Sequence, residues 1–257
     1  ARRRDARAAE LLGAAGRRLV LHDDLTAVPH AAIDVGRERP YATYSAYARA
    51  VDRVLASEPL SPVGLPDDAP LVAPAEPARV PTLASLGIET RAASHLRGGE
   101  SAGLARLRAW RDGGLGSYAE RRDLVGEADA TSRLSAYLHL GMLSPRRCLA
   151  VAERAGARKW RAELLWRDWF RYVLHHHPAL ATRSVDPRWD ALAWPGSDAD
   201  FAAWREGRTG FGLVDAGMRE LVATGFMPNR VRMVAASLLV KHLGIDWRRG
   251  ERFFRAH

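Results

Sequence analysis

Residues 207–257 read GRTGFGLVDAGMRELVATGFMPNRVRMVAASLLVKHLGIDWRRGERFFRAH. Apolar residues recur there at helical spacing on both sides of a short break at residues 225–228, which predicts two helices joined by a turn. The second helix opens on Asn229, Arg230, Arg232 and Met233 and continues as an apolar body. An apolar body belongs in a core, whereas a polar, basic start aims hydrogen-bond donors at something outside it.

The same mixture returns upstream in residues 163–171 (ELLWRDWFR) and 131–135 (TSRLS). From Gly98 onward the pattern predicts helix after helix, with Ser144 and Pro145 as N-cap and first helical residue and Gly156 as a stop. A further helix through residues 165–174 ends at His175, His176, His177 and Pro178. Adjacent histidines point in different directions and lack the i, i+4 spacing of a metal site, and cations suit a helix C-terminus, so no metal is assigned to them. Ahead of Gly98 the chain changes character. Residues 1–17 predict a basic helix ending near Gly16, residues 18–25 (RLVLHDDL) a short buried strand, and residues 41–55 another helix. Residues 56–95 carry Pro59, Pro62, Pro66, Pro70, Pro74, Pro77 and Pro81 with few periodic apolar positions, which predicts a linker.

A chain of 257 residues, 47% hydrophobic and 27% charged, has the composition of a globular protein with a sizeable core. No apolar run approaches the roughly 20 residues that span a bilayer. The basic N-terminus lacks the apolar stretch of a secretory signal, which gives a cytoplasmic expectation, and it lacks an initiator Met, which gives the expectation of a fragment. Cys148 is the only cysteine, so no disulfide forms within the chain, and its apolar helical context predicts a packed thiol. The net charge is +9, and Lys159 and Lys241 are the only lysines. Such a surplus suits a polyanion such as nucleic acid, and it equally suits a solvated Arg-rich surface.

Three segments carry candidate chemistry. Hydroxyls, backbone N–H groups and Arg133 at the start of a helix through residues 131–135 would suit a phosphate, although Ser and Thr are also ordinary caps. Glu163, Trp166 and Phe170 fall close to one helical face, where a carboxylate beside an indole suits a flipped or single-stranded base. The competing reading buries Trp166 in the core and pairs Glu163 with Arg167. Asn229, Arg232 and Met233 share another face. Asn229 can both donate to and accept from a heterocycle edge, Arg232 can meet a carboxylate or lie beside a flavin ring, and Met233 suits core filling as well as ligand contact.

Four stretches in order, TSRLSAYLHLGMLSPRRCL, ELLWRDWFRYVL, GRTGFGLVDAGMRELVATGFMPNRVRM and KHLGIDWRRGERFF, resemble the flavin-binding domain of the DNA photolyase/cryptochrome family. RRLVLHDDLTAVPH and RPYATYSAYARAV look more weakly like the end of that family's antenna domain. The resemblance implies a mainly α protein: residues 1–55 as the C-terminal remnant of an α/β antenna domain and its exit helix, 56–95 as an interdomain linker, and 96–257 as an all-helical flavin-binding domain.

Flavin adenine dinucleotide (FAD) is the implied cofactor, with a second antenna chromophore unassigned. Tyr118, Thr131, Ser132, Arg133, Leu134, Ser135, Trp160, Asn229 and Arg232 are its implied contacts. Glu163, Trp166, Asn229 and Met233 match the pocket for a pyrimidine dimer, and Arg122, Glu163, Trp166, Arg167, Phe170 and Arg230 the DNA surface. Trp194 and Trp247 match the outer and middle members of a tryptophan chain for electron transfer, whose inner member, with an Asp-rich segment, would lie beyond His257. The chain departs from the family's usual WMHNR and TGYP at Phe226, Pro228 and Gly212.

The function implied is light-dependent repair of cyclobutane pyrimidine dimers by electron transfer from reduced flavin, acting as a monomer on damaged DNA. A cryptochrome-like photoreceptor without repair is the alternative. A degenerate DNA-binding member without flavin is a third.

Overall fold

The computed structural model describes residues 2–21, 23–58, 81–89 and 96–257, and among them there are helices and no strand. In chain order the helices are α1 (Arg2–Ala14), α2 (His30–Ile33), α3 (Tyr44–Ser57), α4 (Glu100–Gly113), α5 (Tyr118–Arg121), α6 (Ser135–His139), α7 (Pro145–Arg154), α8 (Arg158–His176), α9 (Asp198–Arg205), α10 (Gly212–Thr224), α11 (Asn229–Ser237) and α12 (Trp247–Ala256). No helix is long and apolar enough to cross a membrane, among the described residues.

Helix α8 organises one core. Trp160, Leu164, Leu165, Asp168, Trp169 and Tyr172 are its buried positions, a stripe at helical spacing. Helix α3 brings Tyr47, Ala50 and Val51 against that stripe, α4 brings Leu107 and Trp110, and α7 brings Cys148, Leu149 and Ala152. The segment before α2 is tied into the same core. Ala27 N–H donates to the buried Asp168 carboxylate at 2.7 Å, and Tyr41 N–H donates to Tyr172 Oη at 3.0 Å. Burial alone pushes the Asp168 pKa up; the Ala27 amide and Arg167 oppose this.

A second core forms around α10 and α11, with Trp204, Val214, Met218, Leu221, Val231, Ala235 and Leu239. Trp204 is fully buried and donates from Nε1 to the Ala235 carbonyl at 2.9 Å, which satisfies the one polar atom of its ring. Gly217 lets the two helices approach: a Cβ there would sit 2.3 Å from Val231 Cγ1. Gly225, at φ 72°, ends α10 in the left-handed conformation, and Pro228 leads into α11, so the expected turn at 225–228 is present.

Two expectations fail. Residues 18–21 and 23–25 form no strand; Val20, Leu21 and Leu25 are exposed, because no neighbouring strand among the described residues offers a ladder or covers their apolar face. The TSRLS segment does not open a helix at Thr131. Helix α6 starts at Ser135, and Arg133 sits at φ 52°, the one non-glycine with positive φ among the described residues. That left-handed residue breaks helical continuity ahead of Ser135. Of the expected linker, residues 59–80 and 90–95 lie outside the described residues, and Ala84–Leu86 forms a short 3-10 turn.

Candidate functional site

The end of α5 joins the candidate segments. The Arg122 guanidinium meets the Glu163 carboxylate of α8 through Nη1, and its Nε lies 3.7 Å from Asp123. Asp123 in turn accepts from Arg230 of α11, 2.9 Å from Nε and 2.8 Å from Nη2. Arg230 thus holds the Asp123 carboxyl below its ordinary pKa. Four charges from three elements alternate in sign along this line, Glu163, Arg122, Asp123 and Arg230. Arg122 is the most enclosed of them: desolvation disfavours its charge, yet the hydrogen bond and charge of Glu163 outweigh that and raise its pKa.

Glu163 therefore pairs with Arg122 and not with Arg167. Arg167 donates to the Leu25 and Leu138 carbonyls at 3.0 Å each and to Asp168, so its donors are spent on the protein's own frame. Trp166 keeps 37% of its surface exposed, and Phe170, one turn on, keeps 64%. Their ring centroids are 5.8 Å apart. Tyr44 of α3 stacks on Trp166 at 3.8 Å with the planes 7° apart.

On α11, Asn229 and Met233 are exposed side by side, with Asn229 Nδ2 3.6 Å from Met233 Sδ. Met233, at 53% exposure, is not a core filler. A cavity of about 590 Å3 opens beside them, lined among others by Phe211, Leu213, Arg230, Met233, Val234 and His242.

The residues of the TSRLS segment lie against the turn before α11. Arg106 of α4 pins the segment by donating to the Ser132 carbonyl at 2.9 Å and the Thr131 carbonyl at 3.3 Å. Leu134 is buried, and the Arg133 guanidinium lies 4.8 Å from the centre of the Phe226 ring. Arg133 Nε is buried and has no hydrogen-bond partner. Arg232 is the second half-enclosed cation. Its guanidinium lies 4.6 Å from the Phe254 ring, no carboxylate pairs with it among the described residues, and desolvation lowers its pKa. Buried cations without anions carry an uncompensated desolvation cost that an anionic ligand would relieve. A cofactor with a pyrophosphate and an aromatic ring system fits this donor set.

Tyr118 is buried edge-on to Trp110, 5.6 Å away, and its phenol pKa is pushed up to about 12, first by burial and then by Glu163. Trp160 is buried 6.2 Å from Trp110 and contributes packing. Gly196 packs on the backbone at 243–244 and donates to the Gly244 carbonyl at 3.0 Å, which lays the loop of Trp194 beside the turn that leads to Trp247. The rings themselves make no contact with each other. His175 and His176 are engaged in ties to the N-terminal segment, His176 Nε2 2.9 Å from Asp34 and His175 4.7 Å from the His30 ring.

Sequence reasoning missed Asp123, Arg106, Phe226 as a partner of Arg133, and Tyr44. Asp123 sits in the YAERRD run that supplies Tyr118 and Arg122, yet its role depends on a residue 107 positions away.

Residues 160–257 match the family described as the FAD binding domain of DNA photolyase. The deoxyribodipyrimidine photo-lyase of Thermus thermophilus is 54% identical over 160 residues, which cover 61% of this chain and 38% of that protein. That of Synechococcus is 35% identical over 273 residues, covering 100% of this chain and 56% of the relative. A bacterial class III photolyase from Agrobacterium tumefaciens superposes with a TM-score of 0.82 at 30% identity, over 98% of this chain and 54% of that structure. The chain thus spans roughly half or less of each of these proteins, and its residues 160–257 belong to the family of the FAD-binding domain of DNA photolyase.

Proposed function

We propose that this chain is the flavin-holding part of an enzyme that repairs cyclobutane pyrimidine dimers in DNA under light. The observation that carries the reading is the line Glu163–Arg122–Asp123–Arg230, which gathers a carboxylate, the open ring of Trp166 and the exposed Asn229 and Met233 around one surface. The relatives named deoxyribodipyrimidine photo-lyase support the reaction class. Reduced FAD, held by Arg133 and Arg232, would supply the light-driven electron for cleavage of the dimer.

The chain's own residues bind and orient. Arg133, beside Phe226 in the α10–α11 turn, and Arg232, beside Phe254 of α12, offer charge and donors to the cofactor. Trp166 stacks on an extruded base, and Glu163, paired with Arg122, accepts a hydrogen bond from a thymine N–H. Asn229 can satisfy either kind of edge atom. Arg122 and Arg230 place positive charge beside the pocket, where a DNA phosphate would lie. A monomer working in the cytoplasm is part of this proposal.

Trp166→Ala tests it. Base–aromatic stacking is worth about 1–3 kcal/mol, so affinity for dimer-containing DNA should fall about ten- to a hundredfold while undamaged duplex, held by phosphate contacts, changes little. Equal loss on both DNAs would overturn the pocket assignment and favour the photoreceptor alternative.

A further inference from the structure

We propose that Tyr44 is a positioning residue for base stacking at Trp166, supplied by a helix outside the residues 160–257 that match the FAD-binding family. The proposal rests on the reading of Trp166 as the base platform.

The geometry sets this ring pair apart. Aromatic pairs ordinarily prefer offset or edge-on arrangements with centroids about 4.5–7 Å apart. Two other stacked pairs follow that preference, Trp169 with Tyr172 at 5.7 Å and Phe201 with Trp204 at 5.9 Å, while Phe253 and His257, 4.3 Å apart, are tilted by 29°. Tyr44 and Trp166 are at 3.8 Å with planes 7° apart, so the phenol ring lies directly over one face of the indole. The tyrosine is itself held at its far end, where Oη donates to the Ala162 carbonyl of α8 at 3.2 Å. A ring anchored at both ends on α3 and α8 cannot slide to the usual offset without giving up that bond.

The helix sets the neighbours of the indole. At about 100° per residue, Trp166 lies on α8 between Glu163 on one flank and Trp169 on the other. Helix α3 occupies the Trp169 flank, where Tyr47 lies 5.4 Å from Trp169. Helix α5 holds Glu163 on the other flank through Arg122. Tyr44 therefore backs one face of the indole, and 37% of Trp166 is left exposed for a base. A pyrimidine entering there would complete a three-layer stack of tyrosine, indole and base, with its polar edge beside Glu163. The role of Tyr44 is to fix the plane of Trp166 before the base arrives, which lowers the ordering cost of binding.

The test is binding in the dark by the flavin-loaded protein, on dimer-containing and undamaged duplexes of one sequence, with melting temperatures recorded for each variant. Tyr44→Phe keeps the ring but frees its far end, and should lose selectively on dimer-containing DNA by less than the leucine variant does. Tyr44→Leu, and Tyr44→Met should the leucine variant not fold, remove the backing face and should lose about three- to tenfold on dimer-containing DNA alone. In a Trp166→Ala background, Tyr44→Leu should cost nothing further, since there is no indole left to hold. Additive losses in that background, or equal losses on both DNAs, would overturn the proposal. Selective loss for Trp166→Ala with wild-type discrimination for Tyr44→Leu would overturn the role of Tyr44 and leave the pocket standing. Absence of selective loss for Trp166→Ala itself would overturn both.

Discussion

Arg230 Nη2 lies 2.8 Å from the carboxylate of Asp123, so a cation on the side of α11 that faces the pocket is held by an anion at the end of α5. The carboxylate both aims the guanidinium and offsets its charge. Removing the carboxylate should release Arg230 for phosphate. In Asp123→Asn, affinity for undamaged duplex is expected to rise, and the slope of log affinity against log salt should steepen by about 0.9, the value of one added phosphate contact. The melting temperature should hardly move, since an exposed ion pair adds little. A salt titration of both proteins checks this; an unchanged slope would show that Asp123 does not hold Arg230 back from DNA.

Gly217 controls how closely α10 approaches α11, the helix that carries Asn229, Arg230 and Met233. In Gly217→Ala the new methyl meets Val231 Cγ1 at 2.3 Å, and overpacking of this kind costs about 1–3 kcal/mol. Denaturant unfolding should show that loss, and Val231→Ala in the same chain should restore part of it. A loss that Val231→Ala leaves untouched would place the strain elsewhere.

Asp215 is buried and accepts hydrogen bonds from Thr209 N–H at 2.8 Å, Thr209 Oγ1 at 2.6 Å and Gly210 N–H at 2.9 Å. Desolvation pushes its pKa up, but the hydrogen bonds from Thr209 and Gly210 together with Arg219 hold it below the ordinary value. A carboxylate depressed in the folded state stabilises the protein above its unfolded pKa of about 3.9, and that contribution disappears as the pH falls through the folded value. Asp215→Asn should thus cost about 1–3 kcal/mol at pH 7, and the gap to wild type should close under strongly acid conditions. Melting curves from pH 7 to pH 2 decide the point, and a gap independent of pH would mean that the amide replaces the carboxylate only in shape.

Arg133 Nε is buried without a partner, so its presence is unfavourable until an anion arrives. Arg133→Ala should leave the flavin-free protein as stable as wild type or more so, yet weaken FAD binding about ten- to a hundredfold, the scale of one charge-assisted hydrogen bond. Fluorescence titration with free FAD measures the second quantity. Full affinity in the variant would remove Arg133 from the cofactor site.

Cys148 is fully buried, and burial pushes its thiol pKa to about 12. The native protein should be inert to thiol reagents at pH 8 and react only on unfolding.

The helix pair at 207–257 was legible because its punctuation is local: Gly225 supplies the left-handed residue and Pro228 the entry to α11. The stripe of α8 was legible for the same reason. Residues 18–25 misled because a short apolar run predicts burial without saying what would cover it, and here nothing does. The TSRLS segment was placed one turn too early because nothing in its composition announces that Arg133 adopts positive φ. Within the site, the types of Glu163, Trp166 and Asn229 were readable from their chemistry. Their grouping was not, since it runs through Asp123 and Arg122, and ion pairs between residues 41 and 107 positions apart leave no trace in periodicity. The same holds for Tyr44, whose partner carbonyl is 118 positions on.

The ties from the N-terminal segment to α8 have a consequence for the order of events during synthesis. Ala27 waits 141 residues for Asp168, and Tyr41 waits 131 for Tyr172. At about 5–20 residues per second a ribosome needs roughly 7–28 s to cross the longer gap. For that time the apolar side of α3, with Tyr47, Ala50 and Val51, has no α8 to lie against. The nascent chain therefore passes through an interval in which an apolar helix face is uncovered, and its safe passage depends on how well the growing polypeptide is shielded until α8 emerges.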